Sequence, residues 1–181
     1  MRRTAQVVLF FGALALGHTT TVLAQGAFSA KQVRIGPVIG FGGLGGANTS
    51  FGGRFEKGIK ELPNLGNGVL SVQLSVDYYS YSAALTGTND FSFKYIPFSG
   101  TVNYHINTKS DKFDAFVGAG LGYLSVSTSY TGAGSFSGSG IYFVGRVGGS
   151  YSLAKAIAVY ADAGAGAATL NAGIMFDLGK K

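Results

Sequence analysis

Strict alternation constrains this chain more than any other feature. In residues 67–82, NGVLSVQLSVDYYSYS, Leu70, Val72, Leu74, Val76 and Tyr78 fall on one face, and Ser71, Gln73, Ser75 and Asp77 on the other. Side chains that change face at every residue belong to a β-strand, because the pleated chain has a period of two. The pattern recurs. Val33, Ile35, Ile39 and Phe41 oppose Arg34, Gly36 and Gly40, and Ile96, Phe98, Val102, Tyr104 and Ile106 oppose Ser99, Thr101, Asn103 and His105. Val117, Ala119, Leu121 and Tyr123 oppose Gly118, Gly120 and Gly122. Ile141, Phe143, Val147, Tyr151 and Leu153 oppose Tyr142, Arg146, Gly148 and Ser150, and Leu170, Ala172, Ile174, Phe176 and Leu178 oppose Asn171, Gly173 and Asp177.

Two weaker stretches complete the set. FGGRFEKGI places Phe51, Phe55 and Ile59 opposite Arg54, Glu56 and Gly58, with Lys57 on the apolar side. AIAVYADAGAG places Ile157, Val159, Ala161 and Ala163 opposite Tyr160, Asp162, Gly164 and Gly166. An alanine-rich helix competes there, but the nearby glycines disfavour it. Compact turns (ELPNLGN, NTKSDK, LAK) alternate with Gly/Ser/Thr-rich loops (GGLGGANTS, AALTGTND, STSYTGAGSFSGSG). The expectation is an all-β domain of eight antiparallel strands in up-and-down order, with no linker and no second domain.

Eight such strands close into a barrel, which removes the sheet edges. A soluble lipocalin-type barrel keeps its apolar face inside; a transmembrane barrel turns that face to lipid. The small-residue face decides between them. Three glycines in step weaken a strand, and a water-facing surface would carry abundant Lys and Glu. Only 12% of the residues are charged. Mid-strand charges of both signs, Arg34, Arg54, Glu56, Asp77, Arg146, Asp162 and Asp177, sit on the glycine-bearing face. That combination describes a narrow lumen where Gly118, Gly120 and Gly122 make room for paired polar side chains. Candidate pairs are Arg146 with Asp162, and Arg54 with Glu56 or Asp77. A filled lumen is favoured over a pore, because buried charges persist chiefly when paired. Tyr78, Tyr104, Tyr123, Tyr151 and Phe176 fit aromatic girdles at the membrane interfaces, as do Tyr79, Tyr81, Phe91, Phe93 and Tyr95.

The first 24 residues read as a cleavable leader: MRR, an apolar run over 7–17, then Val22 and Ala24 before a mature start at Gln25. The domains are therefore 1–24, signal peptide, and 25–181, barrel. Export by the Sec route is expected, since the residues after Arg2-Arg3 do not continue a twin-arginine signal. Removing the leader lowers the net charge from +6 to +4. The basic residues are scattered, with no stripe for nucleic acid; contact with anionic lipid head groups stays open. No run of about 18 apolar residues follows the leader, which excludes a helical membrane protein.

The segments YIPFSGTVNYHI, FVGAGLGYL and LNAGIMFDL carry a resemblance to the small outer-membrane β-barrels of the OmpA/OmpX/OmpW-like kind. The resemblance covers most of the chain after the leader. It implies residence in the outer membrane of a Gram-negative-type bacterium, among outer-membrane lipid and lipopolysaccharide. It also implies assembly by machinery that reads the last strand. This chain ends FDLGKK rather than in a terminal Phe, so Phe176 and Leu178 are the candidate contacts.

Chemistry is sparse. His18 belongs to the leader, leaving His105, expected on the lumen side near a short turn. No Cys is present and no cluster has metal-ligand spacing. GFGGLGG and GAGLGYL resemble phosphate loops, but neither precedes a helix as a nucleotide site requires. No catalytic residue, cofactor or metal is expected. Two roles fit a barrel: a structural or surface-interaction protein whose loops meet an extracellular partner, with Tyr130 and Phe136 in loop 128–140, or a narrow porin-like transporter of small or apolar solutes. Outside membranes the alternative is a secreted lipocalin-like binder of an apolar ligand.

Overall fold

The computed structural model describes residues 27–44, 47–84, 90–130 and 135–178, with backbone alone for 83–84, 90–91, 129–130 and 135–137. The expected leader and its cleavage site lie outside the described residues. Eight strands follow one another: β1 (Val33–Phe41), β2 (Thr49–Leu62), β3 (Gly68–Ala84), β4 (Asp90–Ile106), β5 (Phe113–Tyr130), β6 (Ser135–Ala154), β7 (Ile157–Ala165) and β8 (Leu170–Asp177). Each pairs antiparallel with its neighbour in sequence, and β8 pairs with β1 to close the barrel. The closing seam sets Arg34 beside Asp177 and Gly40 beside Asn171.

Three short turns gather at one end. In the β2–β3 turn, Gly66 and Asn67 adopt φ of 65° and 54°, the left-handed region that these two residue types tolerate best. In the β4–β5 turn, Asn107 Oδ1 accepts the Lys109 N–H at 3.0 Å and Ser110 Oγ accepts the Phe113 N–H at 3.0 Å. Lys155 and Ala156 alone connect β6 to β7.

The wall is inside out relative to a soluble protein. Ile35, Phe51, Leu74, Phe98, Leu121 and Phe143 face outward and are exposed, whereas Arg34, Arg54, Glu56, Gln73, Asn103, His105 and Asp162 point into the barrel and are buried. Backbone polar groups are satisfied by the closed ladder, so lipid meets only side chains. The lumen-facing glycines create the needed space. A Cβ on Gly118 would strike Asn103 Oδ1, one on Gly120 the backbone carbonyl of Gly100, and one on Gly122 the Tyr142 ring.

Three expectations need amendment. The lumen is not filled by small and polar side chains alone, since Val38, Phe116, Tyr160 and Met175 pack together inside it. An eight-stranded interior must be filled with volume, and apolar bulk fills it without adding groups that need partners. Second, much of the 128–140 loop is strand: Thr128 pairs with Phe136 and Ser125 with Ser139. Ser125, Ser127 and Ser139 take the outward face there and Val126, Thr128, Gly138 and Gly140 the other, so the apolar-outward pattern stops although the ladder continues. Tyr130 and Phe136 are strand residues whose side chains lie outside the description. Third, the last alternating stretch, read to Leu178, is strand only to Asp177, so β8 has eight residues, just under the 9–11 a tilted spanning strand needs.

Candidate functional site

The lumen holds two polar layers separated by the apolar cluster. The layer nearer the short turns is built on Arg34. Its Nε donates to Asp177 at 3.2 Å, its Nη1 to Asp114 at 3.3 Å and Ser150 at 2.9 Å, and its Nη2 to the Ala27 carbonyl at 3.3 Å. From β4, His105 sets Nδ1 2.9 Å from Asp114 and Nε2 3.0 Å from Glu56. Glu56 also accepts from Ser71 Oγ at 2.7 Å and Asn103 Nδ2 at 2.8 Å. A carboxylate stands at each ring nitrogen of His105, so neither nitrogen lacks a polar partner.

A short segment ahead of β1 closes this end. Phe28 is buried and lies flat on His105, with ring centroids 3.8 Å apart and planes 7° apart, and the Arg34 guanidinium carbon stands 4.8 Å from its ring centroid. Gln32 fastens the segment: its Nε2 donates to Asp177, its Oε1 accepts the Ser29 N–H, and its carbonyl accepts the Gly58 N–H at 2.9 Å. Nothing in the sequence reading singled out Phe28, which precedes any alternation. Asp114 was also missed, though it shares a face with Gly118 and could have been found by parity. Phe28→Ala should lower stability to urea by about 3 kcal/mol, because a buried ring is lost from a segment that Gln32 holds in place. Unfolding followed by the loss of the compact gel band checks this.

In the second layer Arg54 Nη1 donates to Asp77 at 2.9 Å and Nη2 to Asn171 at 3.0 Å. Asn171 donates to Asp162 at 2.8 Å, Tyr160 donates to Asp162, and Arg146 lies 3.2 Å from Asp162. Arg54 therefore reaches Asp77; Glu56 belongs to the His105 layer. The void among these charges is about 10 Å³, room for a single water. Beyond it Tyr79, Ala47, Ala167 and Ala168 pack with Leu44, Tyr95 and Tyr142, so the β1–β2 and β7–β8 loops fold over the other mouth.

Ser71, His105 and Asp114 stand in the order of a hydrolase triad, with Ser71 Oγ 3.0 Å from His105 Nε2. The arrangement is not that of a working nucleophile. The Ser71 hydroxyl donates to Glu56, all three residues are buried, and Phe28 covers the ring where an acyl group would have to enter. Glu56 and Asp114 sit on opposite ring nitrogens and cannot converge on a metal; no metal-binding group occurs among the described residues.

The outward face carries the second feature. Going from the short turns, it is apolar up to Tyr78 on β3, Ile96 on β4, Tyr123 on β5 and Ile141 on β6, then turns polar at Ser80, Lys94, Ser125 and Ser139. Register aligns the change: Ser80 pairs with Lys94, Lys94 with Ser127, and Ile96 with Ser125. Strands β3 to β6 have 17 to 20 residues, against nine in β1 and β7. At about 3.3 Å per residue and a tilt near 40°, nine residues rise about 23 Å and 20 residues about 50 Å, whereas an apolar band is about 25 Å tall. Half the wall therefore stands well above the belt. Of the expected girdle residues, Tyr78 and Tyr123 lie beside this boundary, and Tyr151 and Phe176 near the short-turn end; all four are exposed. Tyr104 is half-buried and donates to the Leu65 carbonyl.

An apolar belt around a filled polar lumen, on eight closed antiparallel strands, defines the class: a small transmembrane β-barrel. Two solved structures are similar to the chain, and the one that reaches a TM-score of 0.50 agrees on the fold. The chain is similar to Ail, the attachment invasion locus protein of Yersinia pestis, with 13% identity and a TM-score of 0.49 over 81% of this chain and 93% of that one. It is similar also to Ail in complex with the heparin analogue sucrose octasulfate, with 12% identity and a TM-score of 0.50 over the same shares. No family model and no curated protein matches the chain.

Proposed function

We propose that this chain is an outer-membrane protein of a Gram-negative-type bacterium, exported by Sec, freed of residues 1–24, and acting at the cell surface through the sheet that rises above its apolar belt. The single observation carrying this is the aligned change of the outward face from apolar to hydroxyl-bearing residues midway along β3 to β6. Strands extended past the bilayer serve no spanning purpose, and loops on a rigid scaffold are where binding concentrates. Among the described residues the raised part carries one lysine, Lys94, amid Ser80, Tyr81, Ser82, Ser92, Phe93 and Ser127. Contacts there would be made by hydroxyls and aromatic rings. A polysulfated sugar such as the one bound to Ail would find no cluster of cations among these residues.

The lumen takes no part beyond holding the wall. Two interlocked polar layers, a water-sized void and packing at both mouths support a plug and argue against transport. A soluble binder of apolar ligands needs the opposite arrangement of faces. Lipopolysaccharide is the expected neighbour in the outer leaflet, and Phe176 on the last strand with Leu178 just beyond it, both exposed, are the contacts proposed for assembly.

The test uses the absence of native cysteine. Ser82→Cys and Ser127→Cys should react with a membrane-impermeant maleimide on intact cells, and Lys109→Cys only after the outer membrane is permeabilised. Labelling of all three alike would overturn the reading. In planar bilayers the folded protein should show no stepwise conductance; regular ion-selective steps would restore the transporter.

A further inference from the structure

The exposed cations are distributed unequally between the two ends. Lys31, Lys57, Lys60, Lys109, Lys112 and Lys155 are exposed at the short-turn end, and only Lys94 at the other, among the described residues. Glu61 and Asp111 are the exposed acids of the short-turn end, leaving a local excess of four positive charges. Among the described residues none of the six lysines has an acid within ion-pair distance; the ion pairs belong to the buried arginines and His105.

Their placement is annular. Lys31 precedes β1, Lys57 and Lys60 lie on β2, Lys109 and Lys112 flank the tip of the β4–β5 turn, and Lys155 sits between β6 and β7. Three of them border the apolar belt. Lys57 stands outward between Phe55 and Ile59, Lys112 adjoins Phe113, and Lys155 lies between Leu153 and Ile157. A ring of unpaired ammonium groups at the rim of a lipid-facing belt is where head-group phosphates reside, and long lysine stems reach that level while their methylenes stay in apolar surroundings.

We infer that this collar binds the head groups of anionic glycerophospholipids, phosphatidylglycerol in chemical class, in the leaflet on the short-turn side. The inference rests on the membrane-spanning reading. A ring fits a fluid of small anions better than one globular partner, which would meet a single arc.

The experiment takes barrel isolated from membranes of cells expressing the full chain and places it in vesicles of phosphatidylcholine doped with spin-labelled phosphatidylglycerol or spin-labelled phosphatidylcholine. The motionally restricted fraction should favour phosphatidylglycerol by about threefold or more at low salt and lose the preference near about 0.5 M salt. Replacing all six lysines by glutamine should abolish the preference while the heat-dependent gel shift persists; Lys94→Gln should leave it intact. A barrel that inserts but holds both lipids equally, or a six-glutamine variant that keeps the preference, overturns the collar and leaves the membrane reading standing. Failure of the wild-type chain to insert in any vesicle overturns the membrane reading itself.

Discussion

Gly120→Val should prevent the barrel from closing. Gly120 pairs with Thr101 across β4 and β5, and a Cβ at Gly120 would run into the Gly100 carbonyl and Thr101 Cα. These are backbone atoms fixed by the ladder. No rotamer change relieves the collision, so β4 must move and lose hydrogen bonds that lipid cannot replace. Overpacking a core costs about 1–3 kcal/mol where side chains can give way. With backbone as the obstacle the expected loss is about 4 kcal/mol or more, the range reserved for a structural defect. Refolding into detergent micelles should yield little of the compact band that shifts on heating. Gly145→Val is the matched control: Gly145 lies outward on β6 with no atom within 4 Å of its added Cβ. If the two variants fold alike, the glycine face of β5 does not point inward and the arrangement of faces described above is wrong.

That comparison also shows what the sequence makes legible. Alternation identifies a strand and its two faces together, because one residue of slip exchanges every side chain between them. Arg34, Arg54, Asp77, Arg146 and Asp162 could therefore be placed on the lumen side from parity alone. Their partners depend on register between strands, which local pattern does not carry. Arg34 meets Asp114, 80 residues away, and no spacing rule announces it. Phe28 was invisible for a different reason: a plug makes no regular ladder and leaves no period. The raised part of β5 and β6 was read as loop because the apolar residues leave the outward face there: Ser125, Ser127 and Ser139 face out, and Val126, Thr128, Gly138 and Gly140 take the other face. The signal that finds a strand in a membrane fades where that strand leaves it.

Arg34→Met should cost about 3–5 kcal/mol, the range for removing one partner of a buried charge pair. Arg34 contacts Asp177, Asp114, Ser150 and the Ala27 carbonyl at once. Its loss would leave two buried carboxylates with fewer compensating charges; Asp114 would retain His105, whereas Asp177 would keep only the Gln32 amide. The same change releases the cation facing Phe28, so the closing segment should loosen. Arg34→Lys keeps the charge but has one donor centre where the guanidinium fork reaches four groups, and an intermediate loss is expected. Urea unfolding of the three proteins in the same vesicles, read by the fraction of heat-modifiable band, ranks them. Adding Asp177→Asn to Arg34→Met should recover part of the stability, because the orphaned charge, rather than the missing contact, is the larger penalty. A double variant no more stable than Arg34→Met would mean that packing around the methionine dominates. Screening by salt separates the two accounts as well: a buried network should respond little to ionic strength, while the exposed lysine collar at the same end should respond strongly.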